Sequence, residues 1–230
     1  MKNIYMDHQY ENVGGDGMKS LRWILLMAVV LSLLSFSGCF TKSYFFDFTM
    51  EQDLERADGD WVEHTEGEFE LSSDGLEMWN NLVSAPLGFK GDIVLTVRFE
   101  LNVSSDSIAN LEILLAADID DNDPCMGIDI YGLGSEDEYF SVFKYGVSLY
   151  GHMSPIPVLH RSGINEFKLI KTGNLLEFRL NGAILMDEVP IVDYGFDIFS
   201  PHIYCWQVHD SDALYIRSVR VNYEDTAVLL

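Results

Sequence analysis

From Tyr44 onward, hydrophobic and polar residues form short runs that either alternate or are wholly apolar. Gly, Asn, Asp and Pro separate these runs, and no stretch shows the periodicity of an amphipathic helix. Alternation with a period of two, broken by turn residues, is typical of β-strands. The pattern predicts strands at Tyr44–Phe48, Trp61–Thr65, Glu68–Ser72, Leu76–Trp79, Asp92–Val103, Asn110–Ala117, Met126–Gly132, Tyr139–Tyr145, Val147–Gly151, Asn165–Thr172, Leu175–Leu180, Ala183–Val189, His202–Val208 and Ala213–Tyr223.

Two tight hairpins are predicted within the run NEFKLIKTGNLLEFRLNGAIL, residues 165–185. Asn181-Gly182 favours the positive φ angles of a two-residue hairpin turn, and Gly173-Asn174 can serve the same role. About fourteen strands in one domain predict two packed antiparallel sheets, that is, an all-β sandwich.

The N-terminal segment has a different pattern, ILLMAVVLSLLSFSGCF at Ile24–Phe40. Its apolar run, Trp23–Leu34, covers about 18 Å as a helix, which is too short for a hydrocarbon core of about 30 Å. Lys19 and Arg22 precede the run and small residues follow it. This order is typical of a helical export signal that is removed after translocation.

The end of that signal, Phe36-Ser37-Gly38-Cys39, resembles the bacterial lipobox, in which a small residue precedes a cysteine that receives diacylglycerol. The resemblance implies that Cys39 becomes an acylated N-terminus, although Phe36 departs from the usual Leu. A plain secretory signal and an uncleaved anchor are the alternatives.

The chain is therefore divided into a series of segments. Met18 opens a compact signal, so residues 1–17 are interpreted as an upstream extension outside the translated protein. Lipoprotein sorting rules, with Phe40 rather than Asp after the cysteine, imply export to the cell envelope, at the outer membrane or cell surface where a cell has two membranes. The predicted segments are 1–17 extension, 18–38 signal peptide, 39–43 tether, 44–224 β-sandwich domain and 225–230 tail.

The formal net charge is −23, from 37 acidic and 14 basic residues. This charge argues against nucleic acid and against an anionic membrane surface as partners, and it is compatible with cations, neutral glycans or a basic protein. Besides Cys39, the chain has Cys125 and Cys205, which outside the cytoplasm could form a disulfide.

The densest set of oxygen ligands is the acidic run from Asp118 to Asp123. Asp118, Asp120 and Asn122 alternate like the first ligands of a calcium loop, with Asp129 at the twelfth position. The glycine of an EF-hand is missing and no helices flank the run. A looser Ca²⁺ site and a solvated acidic loop are the two hypotheses.

In the strand predicted at His202–Val208, alternation divides the side chains between two faces, one of which is a candidate ligand-binding surface. His202, Tyr204 and Trp206 share one face, and Ile203, Cys205 and Gln207 share the other. Sugars present apolar faces that stack on exposed aromatic rings. The first face is therefore a candidate glycan platform, with core packing of Trp206 as the alternative.

Several of these runs resemble the concanavalin A-like lectin/glucanase superfamily, including laminin-G-like and 3-keto-disaccharide hydrolase-type domains. The residues that carry the resemblance are the 165–185 run, the closing IYCWQVHDSDALYIRSVRV, and the opening FFDF, GEFELSSDGLEMW and GDIVLTVRFEL. The resemblance implies a jelly-roll sandwich, and it offers Gln207 and His209 as candidate catalytic positions. The E-x-D-x-x-E motif of the glucanases is not intact in the chain.

Three functions follow as hypotheses. The first is a lipid-anchored envelope lipoprotein whose non-catalytic module binds carbohydrate or another envelope component. The second is a hydrolase acting on a glycosidic linkage. The third is a structural lipoprotein that docks protein partners.

Overall fold

The computed structural model describes residues 42–50, 61–63, 68–79, 81–102, 109–117, 125–133, 138–144, 147–153, 156, 158–191, 197–206 and 213–229. They belong to one compact unit, Phe40–Leu230. Regular structure within these ranges is entirely β, and they contain no helix suited to crossing a bilayer. The strands are β1 Lys42–Asp47, β2 Val62–Glu63, β3 Glu68–Ser72, β4 Gly75–Trp79, β5 Asn81–Ser84, β6 Leu87–Lys90, β7 Ile93–Asn102, β8 Ala109–Ala116, β9 Cys125–Leu133, β10 Tyr139–Lys144, β11 Val147–Met153, β12 Ile164–Thr172, β13 Leu175–Leu180, β14 Ala183–Pro190, β15 Ile198–Trp206, β16 Ala213–Tyr223 and β17 Thr226–Leu229.

The strands form two antiparallel sheets. The first sheet has eight strands in the order β14-β13-β12-β7-β16-β4-β3, with β1 also paired to β16. The second sheet has nine strands in the order β11-β10-β9-β8-β15-β5-β2, and β6 joins β15 while β17 pairs with β6. The predicted all-β, two-sheet jelly-roll sandwich is confirmed.

The core lies between the inner faces of the two sheets, as the alternation in the sequence predicts. In β7, Ile93, Leu95 and Val97 are fully buried, while Arg98 between buried neighbours is exposed. Burying every second side chain on each strand removes apolar surface from water and provides the main driving force for the fold.

The predicted Asn181-Gly182 hairpin turn is confirmed by its backbone angles. Asn181 has φ 49° and Gly182 has φ 81°, as a type I′ turn requires. The Asn181 amide oxygen also accepts a hydrogen bond from the Glu166 amide (2.8 Å), and its NH₂ donates to the Val158 carbonyl (2.6 Å). The asparagine therefore shapes the turn and also ties β12 to the loop before it.

Some predicted strand boundaries are wrong, and pairing explains why. β15 begins at Ile198 rather than His202, although Pro201 lies inside it. The proline is tolerated because it occupies the point where the partner of β15 changes from β6 to β5. The strands β5 and β6 were not predicted.

The predicted 225–230 tail is also wrong over Thr226–Leu229, because this short apolar run pairs with β6 as β17. At the other end of the domain, β1 begins at Lys42, inside the predicted tether.

Candidate functional site

Four neighbouring strands of the second sheet, β10, β9, β8 and β15, present a distinctive outward face. The isoleucines at positions 113, 128 and 203 are fully buried, so the side chains that alternate with them project away from the core. The outward residues of interest are Glu112, Asp129, Tyr131, Tyr139, Tyr204 and Trp206.

Glu112 and Asp129 form a carboxyl pair on this face. They are direct partners in the antiparallel register of β8 and β9. Side chains in such a position have Cβ atoms about 4.5–5.5 Å apart. The same row continues to Tyr204 beyond Glu112 and to Ser141 beyond Asp129. Two acids therefore stand side by side, with a tyrosine on one flank and a serine on the other.

Burial raises the pKa of Glu112 to about 7, and repulsion from Asp129 contributes to this shift. Burial likewise raises the pKa of Asp129 to about 6. The Trp206 indole lies beside the Glu112 carboxylate and lowers the pKa of Glu112, but without ordinary hydrogen-bond geometry. The pair consequently binds protons more readily than exposed acids do.

Two buried polar atoms on this face lack hydrogen-bond partners within the described part of the chain. They are Oδ1 of Asp129 and Nε1 of Trp206. Both atoms are shielded from solvent, and a buried polar atom without a partner costs free energy.

Four aromatic side chains, here named the aromatic row, cross the same face in the order Tyr139, Tyr131, Trp206, Tyr204. The ring centroids of Tyr139 and Tyr131 are 5.1 Å apart and the rings are stacked. Trp206 meets Tyr131 edge-on at 6.2 Å and stacks on Tyr204 at 6.3 Å with an interplanar angle of 11°. All four side chains are partly exposed, so their rings present apolar surface to solvent.

Two interactions lie next to Tyr139 and Tyr131, at one end of this row. The Asn110 side chain accepts a hydrogen bond from the Gly132 amide (2.7 Å) at an irregularity in the β8–β9 register, next to Tyr131. Glu138, fully buried just before Tyr139, pairs with the Arg161 guanidinium, whose Nη2 lies 2.6 Å from Oε1. The backbone at the Tyr131 and Tyr139 end of the row is thereby fixed.

Two of the three side chains predicted for the glycan platform face outward, and glycan binding there stays a prediction. Tyr204 and Trp206 face outward while Ile203 and Cys205 lie in the core. His202 differs, because it is only 4% exposed and its Nε2 lies 3.0 Å from the Ser200 hydroxyl. His202 is therefore a buried residue rather than part of an accessible surface.

Other predicted sites fall outside the described residues. These are the lipidation site Cys39, the candidate catalytic residues Gln207 and His209, and the candidate calcium ligands Asp118, Asp120 and Asn122. The described ranges contain no cluster of His, Cys, Asp and Glu arranged to hold a metal ion. Asp129, predicted at the twelfth position of a calcium loop, belongs to β9 and faces Glu112.

The disulfide considered between Cys125 and Cys205 is not formed, and both thiols are free. Cys125 pairs with Ala116 and Cys205 with Leu111, five positions away along β8. At roughly 3.4 Å per residue this separates them by about 17 Å. Cα atoms more than about 7 Å apart cannot be bridged without backbone movement. Cys205 is fully buried, and burial raises the pKa of its thiol.

Comparison with known proteins gives structural matches only. No protein-family profile and no curated protein sequence matches the chain. The carbohydrate recognition domain of Emp47p superposes with a TM-score of 0.60 at 9% identity, over 82% of this chain and 97% of that one. A Bacillus licheniformis β-glucanase gives 0.55 at 10% identity, over 79% and 98%.

The Crh5 transglycosylase in complex with NAG gives a TM-score of 0.56 at 14% identity, over 80% of this chain and 84% of that one. Identities this low establish architecture alone. The superpositions, together with the two antiparallel sheets, show that the chain has the concanavalin A-like jelly-roll fold.

Proposed function

We propose that the aromatic row and the carboxyl pair together bind a carbohydrate chain. The observation that carries the proposal is their position on one face of the second sheet, with Trp206 beside both Tyr204 and Glu112. Apolar faces of sugar rings stack on aromatic side chains, and sugar hydroxyls donate hydrogen bonds to carboxylates.

The fold is consistent with this proposal. Similar structures include a protein named as a carbohydrate recognition domain, a β-glucanase, and a transglycosylase in complex with NAG. Because one fold hosts unrelated functions, these names support the proposal only together with the side chains on the sheet face.

Hydrolysis of a glycosidic bond is the second candidate, and the carboxyl pair favours it. Retaining glycosidases use two carboxyl groups about 5–5.5 Å apart, one as acid and the other as nucleophile. Glu112, with its pKa raised to about 7, would hold the proton that a leaving oxygen needs. Asp129, with the lower pKa of about 6, would be the nucleophile.

The soluble domain, residues 40–230, should bind at least one oligosaccharide on a broad glycan array. Trp206→Ala should weaken that binding by about tenfold or more, because a stacked aromatic ring supplies much of the contact energy. Trp79→Ala, which makes the same truncation on the other sheet, is the matched control and should bind like wild type.

Incubating the bound oligosaccharide with the domain and measuring new reducing ends separates binding from hydrolysis. Release of reducing ends that Glu112→Gln abolishes would favour the second candidate. Failure to bind any glycan would contradict both candidates and favour a protein-docking role.

We propose further that the domain is held at a bacterial envelope membrane by acyl chains on Cys39. The resemblance of residues 36–39 to a lipobox supports this, and β1 begins at Lys42, so the linker from Cys39 is very short. Each buried methylene contributes about 0.8 kcal/mol to membrane binding, and two or more chains anchor firmly.

Cys39→Ser should abolish metabolic labelling of the full-length protein by a palmitate analogue, because the acylated thiol is removed. Labelling is measured by gel fluorescence after coupling a dye, with Cys125→Ser as the matched control that keeps full labelling. Undiminished labelling of Cys39→Ser would refute the anchor.

A further inference from the structure

A groove of about 360 Å³ lies on the outward face of the first sheet, the sheet opposite the carboxyl pair. It is formed by β1, β7, β12 and β16, which pair side by side. Its lining includes Arg98, Lys168 and Arg220, and we name it the cationic groove. Asp47 and Glu166 line it too, so three cations and two acids give the groove a formal charge of +1, in a chain with a net charge of −23.

Strand register brings these side chains together from distant parts of the sequence. Arg220 of β16 pairs with Thr96 of β7, and Thr96 pairs with Lys168 of β12. In the adjacent row Arg98 pairs with Ser218 on one side and Glu166 on the other. All of them point away from the core, so both rows face the same solvent-filled groove.

The two arginines of the groove have no ion-pair partner within the described residues. Two acids also line the groove. Glu166 pairs with Lys168 at 2.8 Å, and Asp47 accepts hydrogen bonds from the amide and hydroxyl of Thr49. Arg220 lies over the Phe45 ring, 4.7 Å from its centroid. Two exposed guanidinium groups are thus available to a ligand.

We propose that the cationic groove binds an acidic saccharide unit, a sugar that carries a carboxylate or sulfate group. Planar guanidinium groups bind such oxyanions through paired, charge-assisted hydrogen bonds. Thr96 and Asn222 line the groove and offer partners for sugar hydroxyls, and Phe45, 39% exposed, supplies an apolar edge. The groove volume is at the lower end for small-ligand sites, which suits one or two sugar units.

The charge of the whole domain limits the ligand to a short one. Repulsion by the remaining acidic surface acts over about 8–10 Å at physiological ionic strength. A long polyanion would extend beyond the groove into that surface, whereas a short oligosaccharide or a chain end would not. The site is separate from the aromatic row, so it can be tested independently of the proposed function.

Isothermal titration with trigalacturonate tests the groove directly. Wild type should bind, and Arg98→Gln or Arg220→Gln should weaken binding by about tenfold, the usual effect of losing a charged hydrogen bond. Arg179→Gln is the matched control, because Arg179 lies on the same sheet face but pairs with Glu177. Both Arg179→Gln and Trp206→Ala should bind within about twofold of wild type.

Several outcomes would overturn the proposal. These are no binding of trigalacturonate to wild type, equal binding of a neutral galactose trisaccharide, and an equal loss in Arg179→Gln. A sulfated trisaccharide that binds like trigalacturonate would support the proposal and show that either oxyanion is accepted. Inorganic sulfate binding as tightly as the saccharides would contradict it, because the sugar would then contribute nothing.

Discussion

Replacing Glu112 with glutamine is expected to raise the melting temperature of the domain at pH 8 and to leave it nearly unchanged at pH 4. Burial and the neighbouring Asp129 raise the pKa of Glu112 from 4.5 to about 7 in the folded protein. The folded state therefore binds this proton more tightly than the unfolded chain does. Glutamine has nearly the shape of the protonated acid and carries no charge. The substitution therefore removes the free-energy cost of ionising a buried carboxyl group.

The pH window follows from the direction of the shift. Between about pH 4.5 and pH 7 the folded state holds more protons than the unfolded state, so stability falls as the pH rises through this range. At pH 8 Glu112 is ionised in both states and the full penalty is present. The pKa of Asp129 rises from 3.8 to about 6, so its ionisation adds a similar loss of folding stability at slightly lower pH.

The expected gain for Glu112→Gln at pH 8 is about 2 kcal/mol, from 1.36 kcal/mol per pKa unit reduced for partial exposure. That corresponds to a rise of roughly 4–8 °C in a domain of this size. Melting curves at pH 4 and pH 8 at equal ionic strength measure it. Glu224→Gln removes the same charge from an exposed turn and should show no such gain. An equal effect of Glu112→Gln at both pH values would contradict the account.

Replacing Gly127 with alanine is expected to destabilise the domain by about 3 kcal/mol or more, as inserting an atom into a closely packed site does. A Cβ at Gly127 would lie 2.0 Å from the Ile113 carbonyl oxygen and 2.9 Å from the Cα of Leu114. Both atoms belong to the backbone of β8, so β8 and β9 would have to separate. These two strands carry the carboxyl pair, and glycan binding should fall as well.

Thermal melting measures this effect, and a fall of roughly 6–12 °C is expected. Gly151→Ala is the matched control, because a Cβ there would lie 3.9 Å from the Phe140 carbonyl oxygen in the same sheet, an ordinary contact. It should change stability by no more than about 0.5 kcal/mol. If the Gly127→Ala protein had the same melting temperature as wild type, β8 and β9 would not approach each other as closely as described.

Local sequence patterns predicted much of this fold. Alternation identified most strands because each strand buries one face, and Asn181-Gly182 identified its turn because few other pairs accept two positive φ angles. The same alternation placed Tyr204 and Trp206 opposite the core residue Cys205. These features depend only on residues close together in the chain.

The carboxyl pair was not predicted, because it depends on register between strands. Glu112 and Asp129 become neighbours only when β8 and β9 pair, and an irregularity between Ala109 and Leu111 shifts that register. A signal was nevertheless present. Each acid is the one charged residue inside an apolar strand, ANLEILLA and CMGIDIYGL, and such isolated charges are costly unless they have a role.

The cationic groove was beyond prediction for a related reason. Its residues come from β1, β7, β12 and β16, which span Lys42 to Tyr223. The three cations stand on three different strands, β7, β12 and β16, and come together only after the first sheet has formed. The net charge of −23 is a total over the whole chain, so it does not show where basic side chains lie close together.

The central claim, that the aromatic row and the carboxyl pair bind carbohydrate, is tested most directly by NMR of the tryptophan indole N–H groups. The 40–230 domain contains Trp61, Trp79 and Trp206. Trp61 is buried and its Nε1 donates to the Tyr44 hydroxyl at 3.0 Å, whereas the Trp206 side chain is partly exposed on the outward face. Titration with the oligosaccharide selected on the array should shift the Trp206 signal and leave the Trp61 and Trp79 signals in place. A shift at Trp79 with an unchanged Trp206 signal would place the sugar elsewhere and contradict the account.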